Sequence, residues 1–262
     1  MNVSSNAGTW ARRSPPKQQL REEIWLMLEE TGIAVGPASG NIPNFAGADM
    51  AAYNLSLTSE WQAAQTVKCN PDPPQIPIRL RALYAGKVLY VPVPALTQQF
   101  PYLRLDPNVL RVKGVSFELA ATSEGYMMHG ERIEFDEVPA LDFCIVGSVA
   151  VSRAGGRTGK GAGFADLETG IFREMGTVKP DTPMVTLVHS SQLVAPERVP
   201  MMAHDSPLTM IATEAELIRV PPAGCVPAGV DWDLVQPDQF RDIPFLAALR
   251  DRLAARDSGE GE

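Results

Sequence analysis

The sequence predicts an α/β fold, a three-layer sandwich with a mostly parallel open sheet and helices on both faces. Two patterns and their order predict it. Short apolar runs at 88–92, 143–151, 184–188 and 209–212 read as buried strands, and Gln65–Cys69 as a further short strand. Segments at 17–30, 48–61, 76–84, 165–175 and 244–255 read as helices. Strands that alternate with helices imply parallel crossover units, and such sheets place ligands at the carboxyl ends of their strands.

The elements follow in order. Residues 1–16 read as a polar arm ending in Pro15-Pro16. The first helix, from Lys17 to Glu30, carries Leu20, Ile24, Met27 and Leu28 at the 3.6 period and stops at Gly32. At about 100° per residue, Lys17 and Arg21 fall inside or beside this apolar arc, while Glu22, Glu23, Glu29 and Glu30 lie elsewhere. Those two cations either lay their stems over the core edge or contact an anion. A Gly/Pro loop follows at 34–44, a helix at 48–61, a strand at 65–69, and a rigid Asn70-Pro-Asp-Pro-Pro turn. The helix at 76–84 and the strand at 88–92 come next. Ser116–Leu119 reads as a short strand and His129–Glu137 as an exposed polar connection. One strand is expected over Phe143–Val151, and the final helix over Pro244–Ala255. Residues 17–256 are expected to form one domain, and 257–262 an acidic tail.

Composition narrows the function classes. The chain has 262 residues, 45% hydrophobic and 21% charged, which suits a globular protein with a sizeable core. A formal net charge of −8 disfavours nucleic-acid binding, which needs a basic face. Cys69, Cys144 and Cys225 are few and far apart, so neither a disulfide scaffold nor a zinc site is expected. No apolar run is long enough to span a bilayer and no secretory leader is visible, so a cytoplasmic location without membrane contact is expected.

Leu141 to Glu168 is the most informative stretch. A buried strand leads into a glycine loop with two cations, Arg157 and Lys160, and then into a helix. Successive amides in such a loop, beside a helix N-terminus, form a pocket for anions. The loop is not a P-loop, because Ala154 replaces the first glycine and Gly161 stands where Ser or Thr belongs. The GxGxxG fingerprint also fails, since Gly159 and Gly161 are followed by Gly163. By itself the loop reads equally as a linker or a phosphate site.

Gly156-Arg-Thr-Gly-Lys-Gly-Ala-Gly-Phe-Ala-Asp166 resembles the glycine signature of the 5-formyltetrahydrofolate cyclo-ligase family, the methenyltetrahydrofolate synthetases. Other landmarks fall in that family's order: Lys17 and Arg21, Gly86-Lys87, Asp142, His189 with Gln192, and His204-Asp205 before Ile211-Ala-Thr-Glu214. The resemblance implies a Rossmann-like three-layer fold and an ATP- and Mg²⁺-dependent reaction. In that reaction the formyl oxygen of a reduced folate is phosphorylated and a second nitrogen closes the ring. It places Lys17, Arg21, Arg157 and Lys160 at the ATP phosphates, with the amides of Gly159, Gly161 and Gly163 around them and Phe164 alongside. It makes Arg157 and Lys160 catalytic, and Asp166 and Asp205 ligands of Mg²⁺, a cation that prefers oxygen. Apart from the resemblance, Asp166 reads as a first-turn acid and Asp205 as a turn residue.

Three departures point to a divergent, cyclo-ligase-like branch of the family. Paired tyrosines become Phe164-Ala165. The arginine after the aspartate becomes Leu167, with Glu168 next. The glutamate expected about a dozen residues before the Gly-Lys strand is missing, and Gln75 is the nearest polar substitute or a plain turn residue. The branch's segments Ile42-Pro-Asn-Phe, Asn70-Pro-Asp and Val146-Gly-Ser-Val-Ala-Val are present. Where that branch usually has Asp-Cys, Ser190-Ser191 follow His189. The substrate is then a reduced folate or another heterocycle, thiamin-related in one alternative, and a nucleotide- or folate-binding protein without turnover is the other.

Histidine is the side chain suited to proton transfer near neutrality, so His189 and His204 are candidate acid/base groups, or caps and turn residues. Trp61, Phe100 and Phe164 are candidates for the wall of a ring pocket, as are Trp25 and Tyr102, with core packing as the alternative. A monomer or a homodimer is expected.

Overall fold

The computed structural model describes residues 14–96, 98–222 and 226–257. Residues 1–13 of the arm expected at 1–16, residues 258–262 of the tail expected at 257–262, and Cys225 lie outside the described residues. In chain order the elements are α1 (Pro15–Glu30), α2 (Ala48–Ser56), α3 (Ser59–Ala63), β1 (Thr66–Cys69), α4 (Ile76–Tyr84) and β2 (Val88–Pro92). Then come β3 (Tyr102–Leu105), α5 (Pro107–Val112), α6 (Phe117–Ala120), α7 (Ser123–His129), β4 (Glu131–Ile133) and β5 (Phe143–Ile145). β6 (Ala150–Ser152), β7 (Arg157–Thr158), α8 (Phe164–Glu174), β8 (Met184–Leu187) and β9 (Leu193–Val194) follow. β10 (Met210–Ala212), β11 (Leu217–Arg219), α9 (Pro237–Asp242) and α10 (Leu246–Asp257) complete the described chain.

The main sheet has eight strands in the order β11-β10-β8-β5-β1-β2-β3-β4. The pairs from β10 to β2 are parallel, and antiparallel strands close both edges. Successive residues of a strand face opposite sides, and the two cores follow that period. Val67, Leu89, Val91, Phe143, Ile145, Val185 and Leu187 pack beneath α2, α4, α6 and α7. Tyr90, Tyr102, Cys144, Met184 and Ile211 pack beneath α8 and α10. The mostly parallel sheet with a helical layer on each face is therefore the architecture expected from sequence.

Several boundaries differ, each for a local reason. The helix expected at 48–61 breaks at Leu57-Thr58, where Thr58 caps α3 by accepting from the Trp61 amide. Ser116–Leu119 is not a strand, because Ser116 caps α6 and accepts from the Leu119 amide. The supposed polar connection at 129–137 contains the edge strand β4 and the buried Ile133 and Phe135. Helix α1 opens at Pro15 rather than Lys17, consistent with proline's tolerance of the first helical turn.

The most consequential difference lies in 143–151. This run is two strands in two sheets. β5 belongs to the large sheet, while β6 pairs with β7 and β9 in a small one. The chain turns back through 153–156 before the glycine loop, so the loop at 159–163 leaves β7 and feeds α8 directly.

Candidate functional site

A cavity of about 700 Å³ opens where the chain leaves β1, β2 and β5. Its walls include Asn70 to Pro73 after β1, Pro92 to Pro94 after β2, and Gly147 after β5. This is the carboxyl end of the parallel strands, where open α/β sheets place their ligands. Residues 157–168 form the opposite wall, joined by Lys17 and Arg21 from α1 and by Met202, His204 and Asp205.

Of the two α1 cations, Arg21 contacts the start of the glycine loop and Lys17 contacts Asp205. Arg21 is buried, and its Nη1 donates to Thr158 Oγ1 at 2.9 Å and to the Gly159 carbonyl at 3.5 Å. Burial lowers its pKa from the ordinary arginine value, opposed by Glu22. Lys17 makes an ion pair with Asp205, 188 residues away in sequence. Positive φ at Gly161 (115°) and Gly163 (75°) lets the backbone turn from β7 into α8. Side chains are strained in that conformation, which accounts for glycine at both positions.

Each acid expected at the site is anchored. Asp166 Oδ1 accepts from Arg157 Nη2 at 2.6 Å and from the Ser206 amide at 3.0 Å. Asp205 Oδ2 accepts from the Met202 amide at 2.7 Å as well as from Lys17. Lys160 Nζ stands 3.7 Å from Asp72 Oδ1 across the cavity. The arrangement thus alternates cations and carboxylates around one glycine loop, and this suits a polyanion carried with a hard cation. Phe164 at the head of α8 also lines the cavity, and His204 Nε2 lies 3.8 Å from Asp205 Oδ1.

Other expected residues lie elsewhere. Trp61 is core, edge-on to Phe143 at 5.5 Å, with Lys87 Nζ 5.3 Å from its ring centroid. Phe100 packs on the core beneath the guanidinium of Arg132. Neither touches the cavity, because large apolar rings repay burial beneath the sheet. Gln75 is fully buried behind the wall, and among the described residues its amide oxygen and nitrogen have no hydrogen-bond partner. His189 is a cap. Its Nδ1 accepts from the Ser191 amide at 3.2 Å, and its Nε2 lies 3.4 Å from Glu214 Oε1. Gln192, its partner in the turn, binds the Val149 carbonyl at 2.9 Å and tethers the small sheet.

Two further landmarks hold the frame. Lys87 Nζ donates to the Ala64 carbonyl at 2.6 Å beyond the end of α3, and burial lowers its pKa. The Asp142 carboxylate ties β5 to β1 by accepting from the Gln65 and Thr66 amides at 2.8 and 2.9 Å. Burial alone would raise its pKa, but these hydrogen bonds outweigh it and the pKa falls.

Three features of the cavity were missed in the sequence. Asp72 sits in the Pro-rich turn, fourteen residues before Gly86, and its carboxylate reaches the cavity. Gly147 makes room for it, since a Cβ there would lie 2.9 Å from Asp72 Oδ2. The signal was available: a carboxylate one methylene shorter than the expected glutamate. Glu168 also lines the cavity, and so do Gly229 to Asp231 and Leu234 to Gln236 from the C-terminal part of the chain.

Residues 13–214 match the 5-formyltetrahydrofolate cyclo-ligase family. The chain is 37% identical over 238 residues to the mouse "Methenyltetrahydrofolate synthase domain-containing protein", covering 90% of this chain and 63% of the mouse protein. The human counterpart is 36% identical over 242 residues, covering 90% and 62%. The chain therefore spans less than two thirds of the length of these relatives. Among solved structures, the 5,10-methenyltetrahydrofolate synthetase of Aquifex aeolicus superposes with a TM-score of 0.51 at 21% identity, over 80% of this chain and 95% of that one. The matched residues contain the glycine loop, α1 and both anchored aspartates, and by that match the chain belongs to the 5-formyltetrahydrofolate cyclo-ligase family.

Proposed function

We propose that the chain is an ATP- and Mg²⁺-dependent enzyme of cyclo-ligase type, acting on a formyl or carbonyl oxygen of a reduced folate or a related heterocycle. One observation carries this reading: Lys17, Arg21, Arg157 and Lys160 line the same cavity as Asp166 and Asp205, around one glycine loop. ATP with Mg²⁺ supplies a phosphoryl group that turns a poor leaving oxygen into phosphate, which a neighbouring nitrogen displaces as the ring closes.

The donor set fits both. Mg²⁺ takes one or two carboxylates together with phosphate oxygens and water, and Asp166 and Asp205 are such ligands. Lys17, Arg21, Arg157 and Lys160 hold the phosphates and offset their charge. The amides of Gly159, Gly161 and Gly163 orient them, and Arg157 and Lys160 stabilise the charge that develops during transfer. Phe164 contributes an apolar face beside the loop. Asp72 is the carboxylate facing the substrate from the opposite wall.

Purified protein with ATP, Mg²⁺ and 5-formyltetrahydrofolate should generate the near-UV absorbance of methenyltetrahydrofolate with equimolar phosphate. Failure of ATP to bind in calorimetry would sink the reading. A second reading, turnover of a non-folate heterocycle, is favoured by the wall at 229–236. Gly229 to Asp231 and Leu234 to Gln236 lie beyond the family match at 13–214 and line the same cavity. Phosphate release with another heterocycle, and none with 5-formyltetrahydrofolate, would select it.

A further inference from the structure

The cavity holds a buried acid that neither phosphate binding nor Mg²⁺ binding uses. Strand alternation sends Val67 and Cys69 into one core and Lys68 to the opposite face, beneath α8. There Lys68 Nζ stands 2.8 Å from Glu168 Oε2 and donates to Asn70 Oδ1 at 2.5 Å. Lys68 is 1% exposed and Glu168 3%, yet Glu168 and Asn70 both line the cavity. Burial raises the Tyr102 hydroxyl well above its ordinary pKa, and the negative charge of Glu168 adds to that rise.

Stability does not account for this pair. Removing two charges from water is costly, and apolar residues of similar volume often serve a core as well or better. Specific recognition does account for it. A carboxylate is an acceptor only and can take two parallel N–H bonds. Lys68 balances its charge, so this end of the cavity selects hydrogen-bond donors without requiring a cation. Pro92, Val93 and Leu167 line the same cavity and supply apolar surface. Asp166, two residues earlier on α8, is turned instead toward Arg157 and Ser206.

We propose that Glu168, held by Lys68, is a specificity residue that reads a neutral heterocycle through an exocyclic amine and an adjacent ring N–H. The inference rests on the cavity being a substrate site and names the edge that the substrate must present. A heterocycle lacking the amine sets a methyl group against the Glu168 carboxylate, which then keeps Lys68 but forfeits the ligand's bond in a dry site, and that loss sets the discrimination.

The test uses the full chain and two probes, 2-amino-4-oxopteridine and its 2-methyl analogue without the amine. Both are titrated by calorimetry in the presence of AMP-PNP and Mg²⁺. The wild type should prefer the amino compound by on the order of 10- to 100-fold. Glu168→Gln should bring the two affinities within about twofold of each other, because an amide cannot accept both bonds. AMP-PNP affinity should stay unchanged in that variant. Glu168→Gln with Lys68→Met removes both buried charges together and should show the same loss of preference even if the single variant folds poorly. A wild type that does not distinguish the probes would overturn the proposal. So would a Glu168→Gln protein that keeps the wild-type preference, or parallel loss of AMP-PNP and both probes in the two variants. Preference for the amino probe without methenyltetrahydrofolate formation would remove the folate reading and leave this one standing. Methenyltetrahydrofolate formation with no preference would do the reverse.

Discussion

Arg157 and Asp166 are bound to each other at the entrance to α8, with Nη2 2.6 Å from Oδ1. The cation comes from β7 and the acid from the first turn of the helix, so the glycine loop between them is clamped at both ends. In the proposed reaction Arg157 meets a phosphate and Asp166 its metal. Arg157→Ala should lower kcat/KM for ATP-dependent cyclisation about 100- to 1000-fold, the scale of losing one preorganised charge-stabilising donor. Arg157→Lys should recover only part, since a lysine cannot replace the fork geometry. Steady-state kinetics at saturating Mg²⁺ checks both.

Asp166→Asn and Asp205→Asn keep shape and remove charge. Each should raise the Mg²⁺ concentration for half-maximal activity by about tenfold or more, with a smaller effect on KM for the heterocycle. A Mg²⁺ titration at fixed ATP tests this. An unchanged requirement in both variants would remove these residues from the metal site.

Lys17 and Asp205 join the first described helix to a loop 188 residues later. The side chains are 12% and 8% exposed, so solvent screens them less than a surface pair. A double-mutant cycle with Lys17→Met and Asp205→Asn should give a coupling of about 1–3 kcal/mol in urea unfolding. Additive single effects would mean that the pair does not fasten α1 to the site.

His189→Ala should leave turnover within a few-fold of wild type. Its imidazole caps a short turn and faces Glu214, outside the cavity lining. The loss should appear in stability, at about 1 kcal/mol, as for other caps. The Glu214 carboxylate itself is pushed up by burial, but hydrogen bonds from Ser190 and the nearby His189 bring its pKa below the usual range.

What the sequence revealed follows from which forces are local. The parallel strands were legible because Leu89, Phe143 and Val185 stand in short apolar runs, and because the polar segment around Val67 ends at the Asn70-Pro-Asp-Pro-Pro turn. The glycine loop was legible because its residues are contiguous. Arg21 was half legible: its place on the apolar arc was visible, but its partner Thr158 was not. The split of 143–151 was hidden because Gly147-Ser148 breaks the apolar run for only two residues, too short a gap to mark a change of sheet. Ser116 and Thr58 were misread because a cap is a single hydroxyl, and its choice between turn and strand depends on what the next turn packs against. Glu168 escaped because only tertiary structure turns it toward the cavity, whereas Asp72 was passed over because a glutamate was expected and its shorter carboxylate stands in a Pro-rich turn.

The two described cysteines give a test of the core that is independent of the site. Burial raises the Cys69 thiol to about 11 and the Cys144 thiol to about 12, partly opposed by Arg79 and Lys68 respectively. A thiol whose folded pKa lies above its unfolded value of about 9 favours the native state fully below that value. The contribution is lost as pH rises through the folded values, so stability from this source should fall between about pH 9 and 12. Cys69→Ala and Cys144→Ala should each flatten that alkaline decline in urea midpoints, whatever they cost near neutrality. At pH 8 neither thiol should react with iodoacetamide until the chain unfolds, because the thiolate is the nucleophile and burial denies both charge and access. Peptide mapping after alkylation reads this directly, and prompt labelling of either residue in folded protein would contradict its place beneath the sheet.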